Sequence, residues 1–419
     1  MKRSSLACAM MLAATGLTML MPACSSGQPG AKPRAERTGF AFWPQFPDDP
    51  RVQFLRSLGG SAELAAAKSS TLENVVFGKE AEKDAVISKP YGVAIRNGIV
   101  YVCDMRGKSL VALDFKKKQT RIMGSTGSNR LGHPVAVAVA DDGEIYVAES
   151  ERGAIVVFDA QERYSRAIGF PKFKPVALAI HGDRLYATDM LAQAVQVLDR
   201  KSGKQLGTIG SVGDNDGQFR LPMGVATDKQ GNVYVVDMMR GRLQKFSPDG
   251  KLLLAGGQMG DSTGTFARPK HIAVDNDGLV YVVDAAFQNV QIFDDQFRVL
   301  TFFGAAGDHP GAMNMPAGIC VDDGSIAQFA GELHEGFNGK RVVAVTNQFG
   351  DNKVCLYALG EKKPGFEAAD FARVAVKINT GIGATEDTKQ MQEQGQDDLK
   401  QPETTTPAPD APTQPVAPK

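Results

Sequence analysis

Cysteine is scarce in this 419-residue sequence, five in all, and none of them stands in a C-x-x-C or C-x-x-C-H arrangement. Those spacings are what a thioredoxin-like redox pair or a covalently attached c-type haem requires, so both are excluded. Histidine is as rare, with five residues, whereas a zinc centre draws together three or four nitrogen, sulfur or oxygen ligands. Net charge is missing too, since 47 basic and 47 acidic side chains cancel, and no strong field is available for a nucleic acid. The apolar stretch LACAMMLAATGLTML, Leu6–Leu20, is too short for a comfortable membrane span. No cofactor is called for by any of these features.

What is present is repetition. Leu221–Lys251 reads LPMGVATDKQGNVYVVDMMRGRLQKFSPDGK, and its pattern returns without a gap from Arg268 as RPKHIAVDNDGLVYVVDAAFQNVQIFDDQFR. Further copies begin at Pro90, Pro134 and Pro175, and a worn one at Pro316, so that successive prolines are 44, 41, 47, 47 and 47 residues apart. Periods of this length, filled with several short strands, mark a propeller rather than a helical solenoid. Within a unit GVATD, VYVVD, RLQKFS and LLLAGG read as strands A to D outward from the axis, joined by the turns KQGN and PDGK. One such sheet cannot bury its faces alone, which is why the unit is repeated.

Six prolines give six A strands, but after NKVCLYALG the sixth unit continues as EKKPGFEAAD, which is not a D strand. Near the N-terminus PRVQFLRSLGG, Pro50–Gly60, looks like a C or D strand with no A or B partner of its own. The expectation is that Val52–Leu58 completes the sixth blade and closes the ring without an open edge. The fold class is therefore all-β, a six-bladed β-propeller of four-stranded antiparallel blades.

The string P-x-G-V-A-x-D-x-x-G-x-V-Y-V-x-D-x-x-x-x-R-x-Q-x-F resembles the NHL repeat. FWPQFPDDPRVQFLRSLGG and VVAVTNQFGDNKVCLYALG are similar to the start and end of bacterial six-bladed NHL-type propeller lipoproteins, over roughly residues 40–360. At the N-terminus, the basic MKRSS, the apolar stretch and MPAC resemble a bacterial lipoprotein signal, with an ordinary secretory signal as the alternative. The lipoprotein reading makes Cys24 the acylated first residue, and Ser25 after it implies an outer-membrane address, facing either the periplasm or the surface. Residues 1–23 are then a signal peptide, 24–39 a tether, 40–384 the propeller and 385–419 a disordered Pro/Thr/Gln-rich tail. Removing the signal takes Lys2 and Arg3 and no acid, which leaves two more acids than bases.

The candidate chemistry is thin. The position two after each repeat proline is expected to line the central channel, and it holds Gly92, Ala136, Ala177, Gly224, His271 and Gly318. One histidine makes no zinc site. The channel sets that the resemblance would imply, several histidines in amidating lyases or a carboxylate with asparagines in gluconolactonase-like propellers, are not visible. Asp104, Glu149, Asp189, Asp237 and Asp284 each end a B strand, where a carboxylate accepts backbone N–H groups, and lie too far apart to share one ion. Cys103, Cys320 and Cys355 sit in apolar strands as small buried hydrophobes.

What remains is surface. The B–C turns carry Met105, Arg106, Arg152, Met190, Leu191, Met238, Met239, Arg240, Arg242, Phe287 and Phe349. Met and Phe interleaved with Arg compose a protein-binding patch, or else the same residues wedge between blades. At the channel mouth Lys89, Lys174, Arg220, Arg268, Lys270 and His271 form a basic lip for a carboxylate-bearing ligand or an acidic partner. In the sixth unit Ile326, Phe329, Ala330 and Leu333 fall at helical spacing, which predicts a short amphipathic helix packed beneath the ring, on the face opposite these turns. The sequence thus points to a monomeric, membrane-anchored binding or scaffold propeller in the cell envelope, engaging a protein and the bilayer but no nucleic acid. The resemblance adds an envelope complex, one with multihaem cytochromes among the candidates, as the partner. A channel-sited lyase or lactonase is the alternative.

Overall fold

The computed structural model describes residues 39–60 and 87–376. Two strands lie at the start, β1 (Phe42–Trp43) and β2 (Val52–Leu58), and six blades follow. Blade 1 is β3 (Pro90–Arg96), β4 (Ile99–Asp104), β5 (Ser109–Asp114) and β6 (Gln119–Met123), and blade 2 is β7 (Pro134–Val139), β8 (Ile145–Glu149), β9 (Ala154–Phe158) and β10 (Tyr164–Gly169). Blade 3 is β11 (Pro175–His181), β12 (Arg184–Asp189), β13 (Ala194–Asp199) and β14 (Gln205–Ile209), and blade 4 is β15 (Pro222–Thr227), β16 (Val233–Asp237), β17 (Arg242–Phe246) and β18 (Leu252–Gly256). Blade 5 is β19 (Pro269–Val274), β20 (Val280–Asp284), β21 (Asn289–Phe293) and β22 (Val299–Phe303). Blade 6 takes β23 (Pro316–Asp322), β24 (Phe337–Asn347) and β25 (Val354–Lys362) from the end of the ring. The sheet order β1-β2-β25-β24-β23 shows that its fourth strand is β2.

Every repeat proline starts an A strand, and each A strand packs on the A strands of its neighbours, with β23 returning to β3 to close the circle. The B strands read as near-continuous apolar runs because both of their faces are covered by adjacent blades, as in VYVVD of β16 and β20, where every residue is buried. The D strands of blades 1 to 5 form the rim and face solvent over most of their length, so β14 is exposed over four of its five residues. In blades 4 and 5 the buried tyrosine of the B strand donates its hydroxyl to an acid of the A–B turn, Tyr281 to Asp275 at 2.7 Å and Tyr234 to Asp228 at 3.1 Å, whereas the Tyr186 hydroxyl of blade 3 is buried without a partner.

β2 pairs with β25 from Val52↔Leu359 to Leu58↔Val354, and β1 adds an unexpected fifth strand through Trp43↔Val52. The insertion of blade 6 is a 3-10 helix, Ile326–Glu332. Its tighter winding stacks residues three apart, so Ile326 and Phe329 pack inward and Ala330, expected on the same face, is exposed. Phe329 meets Phe115 of a C–D turn at 5.0 Å, which puts the insertion beneath the ring. It is tied to the closing strand, since the Arg56 guanidinium donates to Glu332 and Gln53 Nε2 donates to the Glu332 carbonyl at 2.8 Å. A helix absent from the sequence reading, α1 (Ala368–Val374), follows blade 6 with Glu367 and Asp370 as a reciprocal N-terminal cap. Its Phe371 is fully buried against Phe42 and His334.

Candidate functional site

The blade tips are built around carboxylates. Asp284 is fully buried and accepts the backbone N–H groups of Ala267, Arg268, Ala286 and Phe287 at 2.8 to 3.1 Å. Asp104 accepts those of Ser88, Lys89, Arg106 and Gly107, and Glu149 those of Gly132, His133 and Glu151. Asp189 and Asp237 do the same for Lys174 and Leu191 and for Arg220 and Leu221. Each acid thus stitches a B–C turn, the loop into its A strand, or both, and its lone pairs are spent mainly on backbone, with Asp189 Oδ2 accepting from Gln196 Nε2 at 3.2 Å. In blade 6 Asn347 takes the place of the acid and accepts Asn314 N at 3.2 Å. Among the described residues no three His, Cys, Asp or Glu side chains cluster as metal ligands.

The channel mouth differs from the sequence expectation by one residue. Pro134 pairs with Glu149 and Ala136 with Ala148, which leaves Val135 as the extra residue of a β-bulge. The same one-residue shift follows Pro90, Pro175, Pro222, Pro269 and Pro316. A bulge re-aims the side chain that it inserts. Tyr91, Val135, Val176 and Met223, each one after its proline, therefore line a cavity of about 430 Å³, while the residues two after it turn toward the next blade. A Cβ on Gly92 would stand 2.6 Å from Ala136 Cα, and one on Gly318 would stand 2.2 Å from the Tyr91 carbonyl oxygen. Those glycines are small because neighbouring A strands touch there.

Met105, Met190 and Lys174, singled out in the sequence, do meet in this cavity, together with His133, Ser150 and Glu151. His133 Nδ1 lies 2.8 Å from Ser150 Oγ. No sequence signal marked that pair, which occupies positions filled by Lys89 and Met105 in blade 1 and by Lys174 and Met190 in blade 3. Lys270 belongs to the same ring of bulged residues and is only 6% exposed, with its Nζ 5.5 Å from the centre of the Tyr91 ring. Burial, with Arg268 and Lys89 nearby, pulls its ammonium down to about 8, and burial pushes the Tyr91 phenol up to about 12. His271 is 9% exposed, its Nδ1 is buried with no hydrogen-bond partner, and burial drops its imidazole to about 4.

Lys89, a neighbour of Lys270, extends over the Phe349 ring at 5.9 Å. The other expected residues scatter. Arg220 donates to Asp214 at 2.8 Å, so it is not an unengaged lip cation, and Arg240 of the B–C turn patch lies 3.4 Å from the same carboxylate. Met239 and Arg240 line a second hollow with Asp216, Arg242 and Met259, apart from the channel mouth, while Met238 is half-buried. Arg152 lies 3.7 Å from Glu149, Arg106 is exposed and Phe287 is half-buried. Cys103 and Cys355 are fully buried. Cys24, the signal, the tether and the tail lie outside the described residues.

The family model of the NHL repeat matches residues 131–158, which span the first three strands of blade 2. Among solved structures, the chain is similar to a Bacteroides thetaiotaomicron protein of unknown function, with 19% identity over 74% of this chain and 75% of that one and a TM-score of 0.50. It is also similar to a catalytically inactive virginiamycin B lyase from Staphylococcus aureus with quinupristin, at 12% identity over 65% of this chain and 96% of that one, TM-score 0.45. A third likeness is to Kuenenia stuttgartiensis hydrazine synthase, at 16% identity over 67% and 86%, TM-score 0.46. Identities of this size show the fold alone. The chain carries an NHL repeat and is a six-bladed β-propeller.

Proposed function

We propose that this propeller is a binding module of the bacterial cell envelope, held at the outer membrane by a lipid on Cys24, that docks a protein partner on the face made by its B–C turns. The observation that carries the reading is the make-up of that face. Leu191, Met239 and Phe349 are 60%, 62% and 54% exposed on turns that favour polar residues, with Lys89, Arg106 and Arg240 among them. Large apolar side chains set among cations on one face are what a partner surface uses. The test places a photo-crosslinking residue at Leu191, at Phe349 or at Lys117 on the opposite face, in cells that make the full chain. Adducts from the first two positions and none from Lys117 support the reading, and equal labelling from all three overturns it. A second reading, a channel-sited lyase or lactonase, is favoured by one contact, His133 Nδ1 beside Ser150 Oγ on the mouth cavity. Turnover of a lactone that is lost in His133→Ala would decide for it.

A further inference from the structure

The six bulged residues that crown the channel are Tyr91, Val135, Val176, Met223, Lys270 and Ala317. Five are apolar or aromatic and one is charged. Lys270 has no hydrogen-bond acceptor and no ion-pair partner among the described residues, and more than nine-tenths of its surface is out of water. Its closest described neighbours make this worse: the Tyr91 ring offers only its π-face, and Lys89 and Arg268, near enough to depress its proton affinity, are cations that likewise form no ion pair among the described residues. The lysine stem is buried while its ammonium opens at the mouth without a counter-charge, and the like charges of Lys89 and Arg268 make that position less favourable. The small Ala317 of blade 6 lies between blades 5 and 1 and leaves room for the lysine to reach Tyr91. Beside this cluster lies the mouth cavity of about 430 Å³, walled by Tyr91, Val176, Met190 and Met223. Its acid, Glu151, stands beside Gly132 in blade 2.

We propose that the channel mouth is a binding site for a carboxylate-bearing ligand with an apolar body, the carboxylate taken by Lys270 with Lys89 and Arg268 and the body seated on Tyr91, Val176 and Met223. A carboxylate supplies the missing counter-charge and charge-assisted acceptors where partial burial already weakens the solvation of the ammonium. The apolar wall selects for a body of several carbons and the cavity volume admits a small molecule or the last residues of a peptide. The inference concerns the channel and needs no partner on the B–C turn face, so its failure leaves the docking reading untouched.

The experiment titrates the full chain at low ionic strength, where charge attraction is least screened, and follows heat release. The probes are 4-phenylbutyrate, its amide, and a leucine-rich pentapeptide with a free or an amidated C-terminus. The expected result is binding of one or both acids, with the amides at least about tenfold weaker. Which acid binds tells a free small molecule from a chain end. Lys270→Met should weaken acid binding at least about tenfold, and Arg268→Gln, an exposed position that leaves the fold intact, about threefold. Amides that bind as well as acids, acids that bind Lys270→Met and Arg268→Gln as tightly as the parent, or no heat from either acid at 10 mM would each overturn the proposal.

Discussion

His271 shows what a side chain does when the backbone moves it by one position. It follows the bulged Lys270 and so leaves the cavity for the seam between blades 5 and 6, where burial holds the imidazole neutral down to about pH 4. In the unfolded chain it protonates near 6.5. Between those values protons bind the unfolded chain preferentially, so stability is complete above pH 6.5 and is lost as pH falls toward 4. Unfolding free energies from urea titrations at pH 7 and pH 4.5 should therefore differ less in His271→Gln than in the parent, by on the order of 1 to 3 kcal/mol. An identical difference in both proteins would mean that the imidazole is not held neutral. Sequence alone placed Met105, Met190 and Lys174 at this end of the ring, because turn position follows from counting. It missed Tyr91, Val176 and Met223, since a bulge leaves no mark in hydrophobic alternation. The bland reading of the blade-tip acids was legible, because an Asp that ends a strand before a turn has backbone amides within reach.

Closure of the ring is the element on which the fold rests, and it was readable because Val52–Leu58 is a strand pattern without partners of its own. Its residues Val52, Phe54, Leu55 and Leu58 are buried, and its backbone supplies the outer neighbour of β25. Deleting residues 40–60 removes that neighbour, exposes a sheet edge and opens a cavity over Tyr357 and Phe303, which pack on Trp43 and Phe54. We expect aggregation and a melting temperature well below the parent's, whereas deleting residues 385–419 should leave it nearly unchanged. Equal melting temperatures would contradict the role of β2. The innermost strands give a sharper test. Gly92→Ala places a methyl 2.7 Å from the Val135 carbonyl oxygen and 2.6 Å from the Ala136 Cα of the next blade, backbone atoms that cannot rotate away, and should cost about 1 to 3 kcal/mol in a urea titration. Two features escaped the sequence reading for physical reasons. The Ile326–Glu332 segment has the apolar spacing of an α-helix, but its seven residues are too few for that spacing to separate α from 3-10 winding. α1 is equally short and is fixed by burying Phe371 rather than by its own periodicity.

A ring of this kind has two faces, and what each carries decides how the whole molecule is used. The lower face holds the insertion, which is tied to the closing strand, and α1, which packs on Phe42 of β1 and on His334, and the upper face holds the channel mouth and the B–C turns. If a lipid on Cys24 anchors the chain, Cys24→Ser should release a folded ring from membranes or block maturation, and persistence in the membrane fraction at high salt would count against it. The upper face allows a separation of architecture from binding at Met238, Met239 and Arg240. Met239 is 62% exposed and the Arg240 side chain 45% exposed, so neither is a wedge between blades, whereas Met238 is half-buried beside Leu221, whose carbonyl accepts its N–H at 3.0 Å. Met239→Ser should therefore shift stability by no more than about 0.5 kcal/mol, as surface changes do, while Met238→Ser should cost about 1 to 2 kcal/mol through lost packing. Partner capture should follow the opposite order, falling in Met239→Ser, falling further when Arg240→Ala is added, and changing little in the folded fraction of Met238→Ser. A thermal melt and a capture assay on the same three proteins read both quantities. Capture that tracked stability instead of exposure would assign these residues to the architecture of blade 4 and leave the channel mouth, with Lys270 at its edge, as the working part of the face.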